Sequence, residues 1–393
     1  MDTPRRCILH IDMDAFFAAV EALMNERYRG KPLVVGGDLS RRGVVSTASY
    51  EARRYGIRSG MSLAEAYYRC PHAVFVEGNP HKYVHVSGQV LRILKEKTPR
   101  VEPYSIDEAF LELEPGTSLE EGVEVGAEIK EDVRDQLGLT CSIGVAPNRY
   151  IAKMASGVKK PDGLTMLDHE SYRRMFWPKS PESLFGVGKK TAEALRTIGI
   201  ETVRELAVFP VNRLRAAFGV NGEGLKQIAN GIDHSAVTPY YEEVPQKSLG
   251  HEVTLESDVS DREQLLRLLV SICEEVGRDM RKEGYSGRVV VVKLRFSDFK
   301  TITRQRALGG LTDDSETIYR IAKDLFLLNW PETPIRLLGV SMSDLSHGED
   351  DAEPDLFEIV SRRRNAVEAV DRLKDRFGED VLRKAAEMRY DPT

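Results

Sequence analysis

Arg6-Cys-Ile-Leu-His-Ile-Asp12, followed at once by Met13-Asp-Ala-Phe-Phe17, decides how the first half of this 393-residue chain is built. The first seven residues predict a short buried strand ending in a carboxylate, and a helix follows from about Ala15 to Asn25. Further on, apolar residues at Val90, Leu91, Ile93 and Leu94 predict an amphipathic helix over 84–97. An extended stretch at Val101–Leu113 comes next, then a helix marked by Val125, Ile129, Val133 and Leu137. A strand at Leu139–Ala146 and a helix from about Asn148 complete the set. In order these make a split β-α-β arrangement with one insertion, which holds the Gly-, Val- and Ser-rich segment 31–60 and the charged helix pattern Tyr50–Tyr55.

Residues 166–233 predict short helices punctuated by glycine. Residues 234–246, with Pro239, Pro245 and no periodicity, read as a linker. From 247 the order strand, helix, strand, strand, helix, strand recurs, with elements at 248–256, 262–282, 288–297, 301–308, 315–328 and 335–344. In the strand 288–297, Val290, Val292, Leu294 and Phe296 alternate with Val291, Lys293, Arg295 and Ser297, so one face is core. This reads as a second, ferredoxin-like unit. Asp344–Ser361 contains seven acids and no Lys or Arg, the pattern of a solvated tether, and helical spacing returns over about 362–388.

Composition excludes several classes. Apolar residues make up 41% and charged residues 30%, as in an ordinary globular protein of two or three domains. The four cysteines (Cys7, Cys70, Cys141, Cys273) are scattered, which argues against a disulfide framework or zinc site and fits a reducing cytosol. No secretory signal or membrane-length apolar run is present, so the expectation is a cytoplasmic protein. The net charge of −6 gives no sign of a nucleic-acid partner. Locally it is otherwise: residues 285–310 hold six basic residues (Arg288, Lys293, Arg295, Lys300, Arg304, Arg306) against Asp298 alone.

Three acids stand out, Asp12 and the pair Asp107–Glu108 in Tyr104-Ser-Ile-Asp-Glu-Ala-Phe110. Acids flanked by apolar strand residues are costly unless paired or holding cations. Three carboxylates together suit two hard divalent ions about 3.5–4 Å apart, the arrangement that clamps an in-line phosphoryl transfer. On chemistry alone, buried structural acids explain them equally well.

Three segments, in order, carry a resemblance: Asp12-Met-Asp-Ala-Phe-Phe17, Thr47-Ala-Ser-Tyr-Glu-Ala-Arg-Arg-Tyr-Gly56 and Tyr104-Ser-Ile-Asp-Glu108. They resemble the signature segments of the Y-family lesion-bypass DNA polymerases, in the bacterial polymerase IV branch, over about residues 5–345. The resemblance implies an α+β multidomain right-hand fold. Its ferredoxin-like palm spans 1–16 and 78–165, small fingers 17–77 and a helical thumb with a helix-hairpin-helix 166–233. A ferredoxin-like little finger spans 247–345, and 346–393 is an acidic tether with a C-terminal helix. The implied activity is template-directed, low-fidelity DNA synthesis without a proofreading exonuclease. Its implied partners are primer-template DNA, deoxynucleoside triphosphates and a sliding clamp, and the implied assembly is a monomer without a membrane.

By the same resemblance Asp12, Asp107, Glu108 and the backbone carbonyl of Met13 hold two Mg²⁺ ions, with Mn²⁺ able to substitute. Asp14 belongs to the motif but reads equally as a satisfied structural acid. Thr47, Tyr50, Arg53 and Lys160 are implied triphosphate contacts, with Lys153 a weaker candidate. Tyr50 and Arg53 share a helix face behind the Ser46, Thr47 and Ser49 segment, where a helix N-terminus favours anions. Phe17 matches the bulky residue beneath the sugar 2′ position, while Phe16 reads as core. The resemblance implies that residues near Val44, Ser46 and Met61 border the nascent base pair.

Phe185-Gly-Val-Gly-Lys-Lys190 resembles the turn of a helix-hairpin-helix. Gly186 and Gly188 let backbone N–H groups approach a DNA phosphate, and Lys189 and Lys190 add charge. Phe218–Gly224 reads as a degenerate second copy. Lys293, Arg295, Arg304 and Arg306 are the implied little-finger contacts to duplex DNA. Glu353-Pro-Asp-Leu-Phe357 resembles a clamp-binding pentapeptide with Leu356 and Phe357 as anchors, although Glu353 stands where glutamine is usual. Two other readings are a catalytically silent DNA-binding scaffold and a nucleotidyl cyclase. Retention of all three acids disfavours the first, and DNA-binding elements beyond residue 166 disfavour the second.

Overall fold

The computed structural model describes residues 6–39, 42–242, 244–348, 358–378 and 381–382, with backbone alone over 358–365. The chain divides into two compact units, Met1–Glu243 and Val244–Thr393.

In the first unit the chain order begins β1 (Ile8–Met13), α1 (Phe16–Met24), β2 (Leu33–Gly36), β3 (Val45–Ala48), α2 (Tyr50–Arg53), α3 (Leu63–Arg69) and β4 (Val74–Glu77). It continues with α4 (Pro80–Lys97), β5 (Val101–Pro103), β6 (Glu108–Glu112), α5 (Leu119–Leu137), β7 (Cys141–Ala146), α6 (Arg149–Ser156) and β8 (Leu164–Met166). The main sheet has the order β5-β6-β1-β7-β8, with β1 antiparallel to both neighbours. Its first four strands have the ferredoxin-like arrangement, and β8 adds a parallel edge. The extended stretch expected over 101–113 is a hairpin, turned at Ser105–Asp107, where the Ser105 hydroxyl accepts from Asp107 N at 3.3 Å. The insertion folds as its own three-stranded sheet, β3-β2-β4, over a core of Val34, Ala48, Ala52, Ile57 and Leu63.

Strand alternation assigns the two faces of β1. Cys7, Leu9, Ile11 and Met13 join the core formed with α4 and α5, while Ile8 packs in a second core that includes Ile151 and Ala155 of α6. His10 and Asp12 share the parity of Ile8. The contact of α6 with the sheet depends on Gly144, because a Cβ there would lie 2.0 Å from Ala152 O and 2.4 Å from Ser156 N. No side chain fits that approach.

Among the described residues five α-helices complete the unit, α7 (His169–Phe176), α8 (Lys189–Thr197), α9 (Val203–Val208), α10 (Val211–Phe218) and α11 (Asn221–Ala229). They share the second core with α6 through Tyr172, Leu195, Leu206 and Leu214. The segment read as a linker is pinned over its first half. Thr238 N donates to Glu102 at 2.8 Å, Arg149 reaches Ala236 O at 3.0 Å, and Tyr240 N donates to Val101 O at 2.8 Å. Glu102 and Arg149 themselves pair across 2.5 Å.

The second unit comprises β9 (Ser248–Val259), α12 (Arg262–Lys282), β10 (Tyr285–Phe296), β11 (Thr301–Thr312), α13 (Ser315–Asn329), β12 (Ile335–His347) and α14 (Glu358–Phe377). The element order is the expected one, and Val290, Val292, Leu294 and Phe296 are buried against the helices. The strand order is β11-β10-β12-β9, which leaves the first strand at an edge, whereas β1 is central in the N-terminal sheet. Its likeness to a ferredoxin-like unit therefore lies in element order and layering. Helix α14 starts earlier than the spacing predicts, and the end of the expected stretch, 383–388, lies outside the described residues. Its Asp371 and Asp375 pair with Arg281 and Arg278 of α12, each at 2.7 Å.

Candidate functional site

The sheet brings two of the three acids face to face. Asp12 is the register partner of Glu108, and Met13 N donates to Asp107 O at 2.9 Å, so the adjoining ends of β1 and β6 hold all three residues. The Asp12 and Glu108 side chains are 16% and 19% exposed. Burial pushes the Asp12 carboxyl up to about 6; Lys160 pulls against that, and Glu108 adds to it. Such crowding of carboxylates calls for positive charge. Two lysines supply it: Lys160 pairs with Asp12, and Lys153 donates to Glu108 Oε1 at 2.7 Å. Asp107 turns instead toward Ser105, whose hydroxyl donates to Oδ1 at 2.7 Å. Among the described residues, no three Asp, Glu, His or Cys side chains converge on one point that could hold an ion. As a donor set, three hard carboxylate oxygens and a neighbouring carbonyl fit Mg²⁺.

Asp14 ties the surrounding segments together. Its buried carboxylate accepts from Ser142 Oγ (2.8 Å), Asp162 N (2.7 Å) and Tyr50 Oη (3.3 Å). The turn carrying Lys160 is thereby bound to the β1–α1 junction, and Lys130 and Arg134 hold Asp162 from the other side. Tyr50 and Arg53 do share a face of α2, with the guanidinium 4.6 Å from the ring centre. Helix α2 is a single turn, and one of its leading N–H groups, that of Ala52, is already taken by the Ser49 hydroxyl. The N-terminus of this helix therefore has less to offer an anion than the sequence suggests. Thr47 lies on β3, paired in register with Val35.

Phe17 is half-buried and stacks on Tyr83 of α4, ring centres 4.1 Å apart and planes 13° from parallel. Phe16 is buried, 2% exposed. The Tyr83 hydroxyl donates to the buried Glu21 carboxylate at 2.8 Å, and Lys82 approaches the same group. Sequence reading passes over Tyr83, Glu21 and His10. His10 alone leaves a signal, since its position two residues before Asp12 aims it at the same sheet face. It is fully buried, with Nδ1 2.8 Å from Ser156 Oγ and Nε2 3.4 Å from Lys153 Nζ. Burial, then the nearby lysines and Arg149, hold the imidazole well below its ordinary pKa.

The Gly186–Lys190 turn is exposed except for Val187, which anchors it in the core. Gly186 has φ +86°, a conformation that favours glycine, and Gly188 caps α8 without a side chain, so the leading N–H groups face outward. In the second unit the four basic candidates do not share a face. Lys293 and Arg295 pair in register with Thr303 and Thr301, opposite the core. Arg304 and Arg306 pair with Val292 and Val290, on the helix side, and bond Asn329 (2.9 Å) and Asp324 (3.1 Å) of α13. Lys293 itself pairs with Glu252 at 2.6 Å. The pentapeptide with Leu356 and Phe357 lies outside the described residues.

Residues 11–157 match the impB/mucB/samB family, and residues 246–356 match that family's C-terminal domain. The DNA polymerase IV of Pelotomaculum thermopropionicum is 38% identical over 387 residues, covering 98% of this chain and 96% of that protein. That of Moorella thermoacetica is 40% identical over 385 residues, covering 97% and 96%. DNA polymerase IV 1 of Bacillus subtilis is 36% identical, covering 98% and 94%. A solved Y-family DNA polymerase chimera superposes with a TM-score of 0.77 at 26% identity, over 87% of this chain and all of the other. Sheet, acids and relatives agree: the chain belongs to the Y family of lesion-bypass DNA polymerases, in its DNA polymerase IV branch.

Proposed function

We propose that this polymerase extends a primer at the junction of β1 and β6, with Asp12, Asp107, Glu108 and the Met13 carbonyl holding two Mg²⁺ ions. The observation that carries the reading is the register pairing of Asp12 with Glu108 on one sheet face, with the Asp107 peptide bonded to Met13 N. When bound, the ions polarise the attacking hydroxyl and neutralise charge on the transferring phosphoryl. The chain's own part is positional. Asp107 swings from Ser105 to join the other acids. Lys160 exchanges Asp12 for the incoming triphosphate, beside Thr47, Tyr50 and Arg53, and Phe17 bars a 2′-hydroxyl from the sugar site.

The domain reading follows the same lines. Palm residues 1–16 and 78–165 hold the acids, fingers 17–77 cover the nascent pair, and the thumb 166–233 grips duplex phosphates through Gly186, Gly188, Lys189 and Lys190. The little finger 247–345 meets DNA with Lys293 and Arg295, which the open sheet face supports best; Arg304 and Arg306 contribute from its other face. We place the enzyme in the cytoplasm as a monomer, with Leu356 and Phe357 as clamp anchors. Among the described residues, no helix is long and apolar enough to cross a membrane. Primer extension in Mg²⁺ by Asp107→Ala tests the reading. Extension is expected to vanish while primer-template affinity stays near wild type, and extension within about tenfold of wild type would overturn the assignment.

A further inference from the structure

Lys153 occupies a built cage. Its ammonium donates to Glu108 Oε1 at 2.7 Å and lies 3.4 Å from His10 Nε2. The rings of Tyr104 and Phe185 close two more sides, with centres 4.9 and 4.7 Å from Nζ. All four neighbours attract positive charge, the rings through their π faces. Only 12% of the side chain is exposed.

Hydrogen-bond inventory fixes the direction of the network. An ammonium has donors alone, so the His10 nitrogen facing it is bare and the ring proton sits on Nδ1. Nδ1 then donates to Ser156 Oγ at 2.8 Å, and Ser156 spends its own proton on Lys153 O at 2.9 Å. Residues 153 and 156 are one turn apart on α6, and His10 bridges their side chains from β1. The helix is itself seated against Gly144, so the cage is built on rigid elements. A lysine on a free four-carbon stem would sample many rotamers; this one is held on both sides.

We propose that Lys153 is a positioning residue that orients the Glu108 carboxylate, and that His10 is the neutral acceptor that aims Lys153. This rests on the reading of Glu108 as a metal ligand. Outer-shell partners of a ligand fix its orientation, and their loss typically lowers activity or affinity by 10–100-fold. If Lys153 were instead a triphosphate contact, its removal would raise the nucleotide KM and spare kcat.

The test combines a metal-free and a catalytic readout on the full chain. In EDTA, the side-chain ¹⁵N spectrum of His10, assigned by its loss in His10→Phe, is expected to have the proton on Nδ1 and a bare Nε2 that moves in Lys153→Met. A proton on Nε2, or an Nε2 signal indifferent to Lys153→Met, overturns the inference. In single-nucleotide extension, Lys153→Met and His10→Phe are expected to lower kcat about tenfold with KM within about twofold, and His10→Gln, whose amide oxygen can accept from Lys153, to recover most of the loss. A KM effect with kcat retained, or a His10→Phe effect confined to melting temperature, also overturns it. Should His10→Phe fail to fold, Lys153→Met and a selectively labelled wild-type spectrum still decide. Glu108→Ala separates the two levels. Near-wild-type extension by that variant sinks the ligand reading itself, whereas a dead Glu108→Ala beside active Lys153→Met and His10→Phe sinks this inference alone.

Discussion

Tyr83 lies flat against Phe17, ring centres 4.1 Å apart, and its hydroxyl is tied to Glu21 one turn further along the helix that carries Phe17. The ring proposed to exclude ribonucleotides is thus backed by a second ring whose own orientation is fixed by a buried hydrogen bond. A steric barrier discriminates only if it cannot yield, since close-packed sites resist added volume and open ones do not.

Sugar choice tests that pairing. Phe17→Ala is expected to raise ribonucleotide incorporation by orders of magnitude, read as the ratio of kcat/KM for ribo- and deoxynucleotide. Tyr83→Ala is expected to raise the same ratio by less, because Phe17 remains but loses its backing. Phe16→Ala leaves the ratio unchanged and costs about 3–5 kcal/mol of stability, the usual loss for a buried Phe. An unchanged ratio in Phe17→Ala contradicts the assignment.

Stability around Asp14 follows from its three hydrogen bonds. Asp14→Ala leaves the buried Ser142 hydroxyl without its acceptor, at about 1–3 kcal/mol by the usual penalty, and frees the part-buried Asp162 N–H as well. Chemical denaturation is expected to register a loss in that range or above. A change below about 0.5 kcal/mol, the scale of ordinary surface substitutions, would mean that the network is dispensable.

Gly144→Ala is expected to be more disruptive than any surface substitution. Its Cβ would sit 2.0 Å from the Ala152 carbonyl, which is backbone and cannot rotate away. Overpacking typically costs about 1–3 kcal/mol, and here α6 has to shift as a body, carrying Lys153 with it. Activity is therefore expected to fall along with melting temperature. Wild-type melting and extension would show that α6 has room the structure denies it.

Much of this fold is legible in the residues. The alternation in β10 assigns its buried face, and the acids stand out because apolar strand residues flank them. Pairing partners are harder to read: alternation tells which face a residue takes but not which strand lies beside it, so β9 at the sheet edge is invisible. The same limit hides the separation of Lys293 and Arg295 from Arg304 and Arg306, which depends on hairpin register. His10 reads as core because it sits in an apolar strand; its hydrogen-bond partners, Ser156 and Lys153, lie on α6, more than 140 residues away. The pinned stretch 234–240 is held by Glu102 and Arg149, distant residues that no local pattern names.

The separation of the basic residues has a measurable consequence. Replacing Lys293 or Arg295 by Ala is expected to weaken primer-template binding alike across sequences and to reduce the salt slope by about one for each phosphate that is no longer neutralised. For Arg304→Ala and Arg306→Ala the expected drop in DNA affinity is smaller, with a share of the effect in stability through Asn329 and Asp324. Equal effects from all four would mean that DNA reaches both sides of the sheet.

The central proposal is that the carboxylates at the β1–β6 junction hold two divalent ions, with Lys160 leaving Asp12 while Lys153 stays on Glu108. Counting bound Mn²⁺ by electron paramagnetic resonance, in the ternary complex with a chain-terminated primer-template and the next correct nucleotide, tests it directly. The expected result is two ions per wild-type complex and fewer in Asp12→Ala and Asp107→Ala at the same concentrations. Two ions retained in both variants would contradict the assignment of Asp12 and Asp107 as metal ligands.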